Sequence, residues 1–350
     1  MKLKLEYNNL LDVINLNFKV YNPLKEFVSK KNFISIVKKK RLTNNKFFPI
    51  PIFINISQNL YDKLKTYKNI QAYYKSKKVC DLKIKSFYTL NKIRVGESLF
   101  KTKNKKHPGL TQFLNSGDYF IQCRIKNFNH KIMKNLNFTY PAKIKSIFFK
   151  SKLKTIVGFH TRNVPHRAHE WIHNFALKKC DGLFIHPLIG QFKKNEYKEK
   201  IIIQSNLKLI NDIYKNKNIF FGLFNSYPRY AGPRESLLHA IVRRNYGCTH
   251  FMLGRDHAGV GKYYAKYASQ NLCLKHQNAM KINIICFKEP YLCKVCKRIV
   301  NKKCIYCHKV SKKLISGTLI RKLILNKVKI PSTFMRKEIS NQLNSKSLIK

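Results

Sequence analysis

Acidic side chains are scarce in this chain: 16 Asp and Glu stand against 71 Lys and Arg, a formal net charge of +55 over 350 residues. So basic a balance ordinarily points to nucleic acid, an anionic membrane or small anionic substrates. The lysines, however, are scattered from Lys2 to Lys350, and Asn, Ile, Phe and Tyr are abundant beside them. The charge therefore reads as drift under AT-biased composition rather than as one dedicated basic face. Long apolar runs are also missing, and none approaches the roughly 20 residues that span a bilayer. The stretch Met1 to Lys19 mixes charges with apolar residues and has no signal-peptide core. The expectation is a soluble protein that works where it is made, in the cytoplasm or alternatively in an organelle interior, with no membrane partner. No internal repeat is visible. Hydrophobic residues make up 44% and are spread along the whole length, which argues against disorder.

The length suits two domains with a small appendage. Up to about Lys150 the apolar runs are short and punctuated (Phe33 to Val37, Pro49 to Ile56, Tyr119 to Ile125), the pattern of a β-rich domain with irregular loops. Beyond Lys154 short apolar strands alternate with amphipathic stretches. Strands are expected at Thr155 to Phe159, Leu183 to Leu188, Ile219 to Phe224, His250 to Gly254 and Ile282 to Phe287. That rhythm predicts an α/β domain with a parallel sheet covered on both faces, whose ligands bind beyond the carboxyl ends of the strands. The expected boundaries are 1–150, 151–290 and 291–350. Six cysteines (Cys80, Cys123, Cys180, Cys248, Cys273, Cys286) stand singly, as buried thiols of a reducing compartment do.

Directly after the first of these strands comes Gly158-Phe-His-Thr-Arg-Asn-Val-Pro-His-Arg-Ala-His169, leading into a helix expected over Glu170 to Lys179. A strand-to-helix turn aims free backbone N–H groups and a positive helix end at an anion. His166 and His169 share a face, so both can donate to triphosphate oxygens, while Arg162 and Asn163 add charge and directed hydrogen bonds. An isolated H-x-x-H is more often one packed and one solvated histidine. The adjoining Thr-Arg-Asn and the preceding strand favour a phosphate site here. The stretch resembles the Q-T-R-N-P-x-H-R-A-H signature of ATP sulfurylases, members of the HUP nucleotidyltransferase-like group. It departs in His160, where the family has Gln, and in Val164-Pro165, where the order is reversed.

Two later segments, Arg229-Tyr-Ala-Gly-Pro-Arg-Glu235 and Gly254-Arg-Asp-His-Ala-Gly259, resemble the same family's R-Y-A-G-P-R-E and G-R-D-H-A-G. Glycines at both ends of the latter let backbone approach a ligand, and Arg255 offers a planar fork suited to an oxyanion. Ile315-Ser-Gly-Thr-Leu-Ile-Arg321 resembles the family's S-G-T-x-I-R element, with Ser316 or Thr318 expected to cap a helix. Asn22-Pro-Leu24, Arg41-Leu42, Pro49 to Ile52, His107-Pro-Gly109, Gly117-Asp118 and Phe334-Met-Arg336 follow in family order, so the resemblance covers nearly the whole chain.

Near the C-terminus, Cys293-x-x-Cys296 and Cys304-x-x-Cys307-His308 place paired thiolates on two tight turns, which is what tetrahedral zinc asks for. With no open coordination position implied, the site is structural. Its fourth ligand is open. Similarity to zinc-containing bacterial members, with three Cys and one His, favours Cys293, Cys296, Cys304 and His308, with Cys307 as the alternative.

The resemblance implies a PUA-like N-terminal domain, a Rossmann-like HUP nucleotidyltransferase domain and a small C-terminal zinc subdomain, without an appended APS kinase. It implies the reversible reaction of ATP with sulfate to give adenosine 5′-phosphosulfate and pyrophosphate. By similarity Thr161, Arg162 and Asn163 are catalytic. They would bind ATP together with His160, His166 and His169, and with Gly254, Arg255, Asp256 and His257. Sulfate would be held by His160, Arg162, Arg255 and the backbone around Ala258. Mg²⁺ would arrive with ATP. A homo-oligomer is implied, with a dimer the favoured state. Because sulfate is already a dianion, its attack on the α-phosphorus requires no general base; the site must position two repelling anions and stabilise charge. Two other readings compete. One is a basic PUA-like, zinc-containing RNA-binding protein derived from a decayed enzyme, although retention of both phosphate-site loops speaks against it and nucleic acid is not the expected partner. The other is a HUP enzyme adenylylating a different acceptor, such as nicotinamide mononucleotide, which the Arg162 and Arg255 pair disfavours.

Overall fold

Residues 1–190, 194–303, 307 and 311–349 are described by a computed structural model. Contacts divide the chain into two units, Met1–Ser146 with Pro228–Gly247 and Asp256–Ile284, and Ile147–Tyr227 with Cys248–Arg255 and Ile285–Lys350. Among the described residues no helix is long and apolar enough to cross a membrane.

The first unit is built on a five-stranded sheet of β1 (Lys2–Lys4), β2 (Ile54–Ile56), β3 (Asn69–Tyr74), β4 (Lys77–Tyr88) and β5 (Tyr119–Lys126), in the order β1-β3-β4-β5-β2. β1 runs parallel to β3, and the other pairings are antiparallel. Its core gathers aromatic rings: Phe33, Phe53, Phe113 and Phe120 meet at centroid distances of 5.3 to 6.2 Å. Burial pushes the Cys80 thiol up to about 12, so it behaves as an inert apolar side chain. The β-rich expectation understated the helix here. The run Phe33 to Val37 lies within the helix Lys30–Lys39, because Phe33, Ile36 and Val37 are buried at helical spacing and Ser29 caps the start, accepting from Asn32 N at 3.2 Å.

The Arg229–Glu235 segment belongs to this unit and ties its loops together. The Arg229 guanidinium pairs with Asp12 and donates to the Tyr21 hydroxyl at 2.9 Å. The Glu235 carboxylate accepts from the backbone N–H groups of Arg229 (2.9 Å) and Ala231 (3.2 Å). Arg234, buried, donates to the carbonyls of Ile36, Val37 and Pro49 at 2.7 to 3.2 Å. Gly232 sits at φ +54° with the Tyr264 ring where a side chain would begin, so both conformation and space require glycine.

The second unit holds a sheet of β6 (Ile156–Phe159), β7 (Gly182–Ile185), β9 (Ile219–Phe221), β11 (His250–Leu253) and β12 (Asn283–Cys286) in the order β12-β11-β6-β7-β9. The pairings from β11 through β9 are parallel. β6 and β7 are buried at every residue, as strands covered on both faces must be. Two expected strands each divide in two. Leu183 to Leu188 becomes β7 and β8 (Leu188–Gly190), and Ile219 to Phe224 becomes β9 and β10 (Phe224–Ser226). Pro187 lacks the N–H that would continue the ladder, and β8 leaves to pair with β10 in a small parallel sheet.

The C-terminal residues complete this unit. β13 (Tyr291–Cys293), β14 (Ile299–Val300) and β15 (Lys312–Leu314) form an antiparallel sheet in the order β14-β13-β15. Leu292, Ile315, Ile320, Ile324, Phe334 and Met335 share one core with Val164 and Ala168, so the segment after β12 packs directly beneath the loop that follows β6.

Candidate active site

The strand order reverses direction between β6 and β11, and at such a switch point the carboxyl ends of neighbouring parallel strands open a crevice. The register His250↔Val157 and Phe251↔Gly158 carries the two chains out of the sheet side by side, one into His160–His166 and the other into Gly254–Arg255.

His166 caps the helix Arg167–Leu177; its Nδ1 accepts from the His169 N–H at 3.4 Å, and the two rings stack 3.8 Å apart at 16°. Burial, reinforced by the neighbouring histidines, holds His166 well below the usual imidazole range. Burial lowers His169 to about 4 against a smaller opposing effect of the Val164 backbone. Both rings are therefore neutral at pH 7. With Nδ1 of His166 accepting, its proton resides on Nε2, which becomes its one donor. His169 Nδ1 has no hydrogen-bond partner. Each neutral ring keeps one N–H, which in His166 is the one on Nε2.

Thr161 is buried and its Oγ1 accepts from the Asn163 N–H at 3.1 Å. Arg162 is ion-paired with Glu196. Asn163 is held by the S-G-T-x-I-R element: Arg321 Nη1 donates to its Oδ1 at 2.6 Å, and a Cβ at Gly317 would run into its carboxamide. With Oδ1 occupied, the Asn163 NH₂ is the group left to donate. Ser316 caps the helix Gly317–Leu325, accepting from Leu319 N at 3.2 Å. The start of the helix after His166 is braced as well. Glu170 Oε2 accepts from Arg336 Nε and lies 2.8 Å from its Nη2, and the Arg167 N–H donates to Phe334 O at 2.8 Å.

On the other strand, Gly254 packs against the Phe287 ring, and Arg255 Nη1 lies 3.1 Å from Glu289 Oε2. His160 is partly buried immediately after β6. Asp256, His257 and Ala258 fall in the first unit. There the Asp256 carboxylate folds onto Gly259, Ala258 takes a left-handed φ of 57°, and His257 Nε2 lies 3.0 Å from His239 Nδ1. Burial, with the Arg243 charge adding to it, lowers His257 to about 3. Sequence reasoning missed the roles of Glu196, Glu289, Arg321 and Arg336. Arg321 and Arg336 did stand inside recognised motifs, whereas nothing local marked either glutamate.

Cys293, Cys296 and Cys307 gather with their sulfur atoms within 4.8 Å of one another. The Cys293 and Cys307 sulfurs are 3.6 Å apart. Four thiolates at about 2.3 Å from a tetrahedral Zn²⁺ would stand about 3.8 Å apart, so the three fit that ion. The turn that carries Cys293 and Cys296 is closed by Lys297 N donating to Cys293 O at 2.9 Å. Cys304 and His308 lie outside the described residues.

Residues 136–346 match the family described as ATP-sulfurylase, and residues 1–130 the PUA-like domain. The chain belongs to the ATP-sulfurylase family. It is 33% identical over 303 residues to the sulfate adenylyltransferase of Pyrococcus abyssi, covering 86% of this chain and 79% of that one. With the sulfate adenylyltransferase of Carboxydothermus hydrogenoformans it shares 34% over 310 residues, 87% and 81% of the two chains. Among solved structures it is similar to the "Hexameric APS kinase from Thiobacillus denitrificans", at a TM-score of 0.74 and 15% identity. That likeness, which is one of fold, covers 97% of this ATP-sulfurylase family chain and 62% of the solved one.

Proposed function

We infer that this chain is a sulfate adenylyltransferase, joining the AMP part of ATP to sulfate with release of pyrophosphate. The observation that carries the reading is the crevice between β6 and β11, where a neutral histidine pair at a helix start, an oriented Asn163 and two arginines come from neighbouring strand ends. Arg162 and Arg255 hold sulfate. Asn163 NH₂, the Thr161 region and the Nε2–H of His166 donate to the α- and β-phosphates, with His169 stacked on His166 and the positive helix end behind them. Sulfate oxygen attacks the α-phosphorus in line, the bond to the bridging oxygen of pyrophosphate breaks, and negative charge grows on the phosphoryl oxygens facing these donors. No proton is transferred, which agrees with histidines that stay neutral. The loop from Gly158 to His169 contains no carboxylate. Mg²⁺ would therefore be held chiefly by the ATP phosphates, where it supplies charge neutralisation. Cys293, Cys296 and Cys307 would hold Zn²⁺ with a fourth ligand from Cys304 or His308, and the ion would fix the turn between β13 and β14. We assign the activity to a homo-oligomer working in the cytoplasm.

The test is pyrophosphate release from ATP with pyrophosphatase present to draw the reaction forward. Release that requires sulfate and Mg²⁺ and is lost in Arg162→Ala is expected. Sulfate-independent release, or none from folded protein, sinks the reading.

A further inference from the structure

We propose that His107 is a positioning residue for the loop 256–264: its ring latches Tyr263 and Tyr264, holds the turn that carries Ala258 and thereby sets the affinity for sulfate. The sulfate part rests on the reading that the backbone around Ala258 faces that anion.

His107 is fully buried in the first unit and stands just before the helix Pro108–Leu114. Its Nδ1 caps that helix, accepting from the Leu110 N–H at 3.2 Å. Asn, Asp or Ser would serve as well or better in a cap, so capping alone does not call for an imidazole. The far edge of the ring supplies the reason. Burial holds His107 below the usual imidazole range, and with Nδ1 accepting, the one ring proton lies on Nε2, which donates to the Tyr264 hydroxyl at 3.2 Å. That hydroxyl gives its own proton to Phe100 O at 2.9 Å, the nearer of two carbonyls, Tyr230 O being 3.4 Å away. The hydrogen bonds therefore run in one direction from Leu110 through His107 and Tyr264 to Phe100, each polarising the next. Tyr263 packs on the same imidazole, with 4.6 Å between centroids at 77°. Glycines leave room for this knot. A Cβ at Gly109 would strike the Phe100 ring and Tyr230, and the Tyr264 ring fills the place of a side chain at Gly232.

The loop is thus pinned at both ends. Near its start Ser269 Oγ donates to His257 O at 2.6 Å, and its end is the pair of tyrosines on His107. Two short turns lie between, closed by Gly259 N–H to Asp256 O at 3.3 Å and by Tyr263 N–H to Val260 O at 3.1 Å. Ala258 sits in the first of them at φ 57°. A non-glycine residue keeps that left-handed conformation only where its surroundings impose it, and such a turn can gather successive N–H groups about an anion. Freeing Tyr264 lets Ala258 relax, and the N–H groups then lose their common direction.

The experiment uses the full chain with His107→Asn, Tyr264→Phe and the double variant, read by sulfate-dependent pyrophosphate release and by amide hydrogen exchange without substrate. Asn still caps the Leu110 N–H and Phe keeps the ring at Gly232, while each removes the bond between the two side chains; melting temperature monitors the fold. Sulfate KM is expected to rise about fivefold in each variant with kcat held within about twofold, and the double variant to be no worse than the singles. Exchange should quicken at Gly259 and Tyr263 and stay as in wild type at Thr111, whose N–H donates to His107 O within the capped helix. If His107→Asn does not fold, Tyr264→Phe carries the same two readouts. An unchanged sulfate KM in variants of an enzyme that responds to sulfate overturns the proposal, as do rises that multiply in the double variant or exchange that quickens equally at Thr111. Quickened exchange at Gly259 and Tyr263 in a protein whose wild type shows no sulfate-dependent release upholds the latch and fells the sulfate reading instead.

Discussion

Replacing Arg321 by Ala tests whether Asn163 works as an oriented donor. The guanidinium gives a 2.6 Å charge-assisted hydrogen bond to Asn163 Oδ1, and Gly317 packs against the same carboxamide. In the variant the amide rotates freely, so its carbonyl faces the phosphate as readily as its NH₂. A hydrogen bond to a charged group contributes about 1.5 to 3 kcal/mol. The pair is only part-buried, and the lower end of that range corresponds to a kcat loss of about tenfold. Asn163→Ala removes the donor itself and should cost about 100-fold, the scale of a lost oxyanion donor. If Arg321 acts only through Asn163, the double variant is no slower than Asn163→Ala. Sulfate-dependent pyrophosphate release measures all three, and Gly317→Ala should reproduce the Arg321 defect by displacing the carboxamide. Losses that multiply in the double variant would refute the reasoning. A melting shift accompanies Arg321→Ala, since its guanidinium also lies 5.9 Å from the Tyr197 ring, a contact of about 0.5 to 1 kcal/mol.

Two other outcomes follow from burial and from the thiol cluster. His166, His169 and His173 have folded pKa values depressed by burial, to about 4 for His169, so their contribution to stability is full above about pH 6.5 and is lost as the pH falls towards those values. Melting temperature should therefore drop between pH 7 and pH 5, before carboxylates titrate, by an amount equivalent to about 1.4 kcal/mol per unit for each independently titrating group; a flat profile across that window contradicts the burial argument. Cys293→Ser should abolish bound zinc as measured by elemental analysis and lower the melting temperature, and a chelator should do the same to wild type. Unchanged metal content in Cys293→Ser would remove it from the ligand set.

The second unit was legible in the sequence because buried parallel strands are short apolar runs: β6, β9, β11 and β12 fall within expected segments, and β7 begins one residue before its own. Its two split strands were not, since the departure of β8 depends on pairing with β10, Leu188 lying opposite Phe224. In the first unit, five apolar or mixed residues such as Phe33 to Val37 suit either period, and only burial on one helix face settles the choice. The loop after β6 could be read because its residues are consecutive. The partners of that loop could not: Glu196 lies 34 positions from Arg162, and Arg321 158 from Asn163. Such pairs are products of the fold and leave no local spacing to detect.

The braces of the loop after β6 bear on the order in which the molecule is finished. During synthesis Asn163 and Glu170 emerge well before the residues that secure them, Arg321 and Arg336, which follow 158 and 166 positions later. The strap at Ile349 that fastens Glu196 comes later still. A nascent chain can therefore contain every side chain of this loop and still leave the loop slack. The fold thus postpones a finished loop after β6 until its C-terminal braces have docked, and an incompletely made chain holds the motif without its geometry.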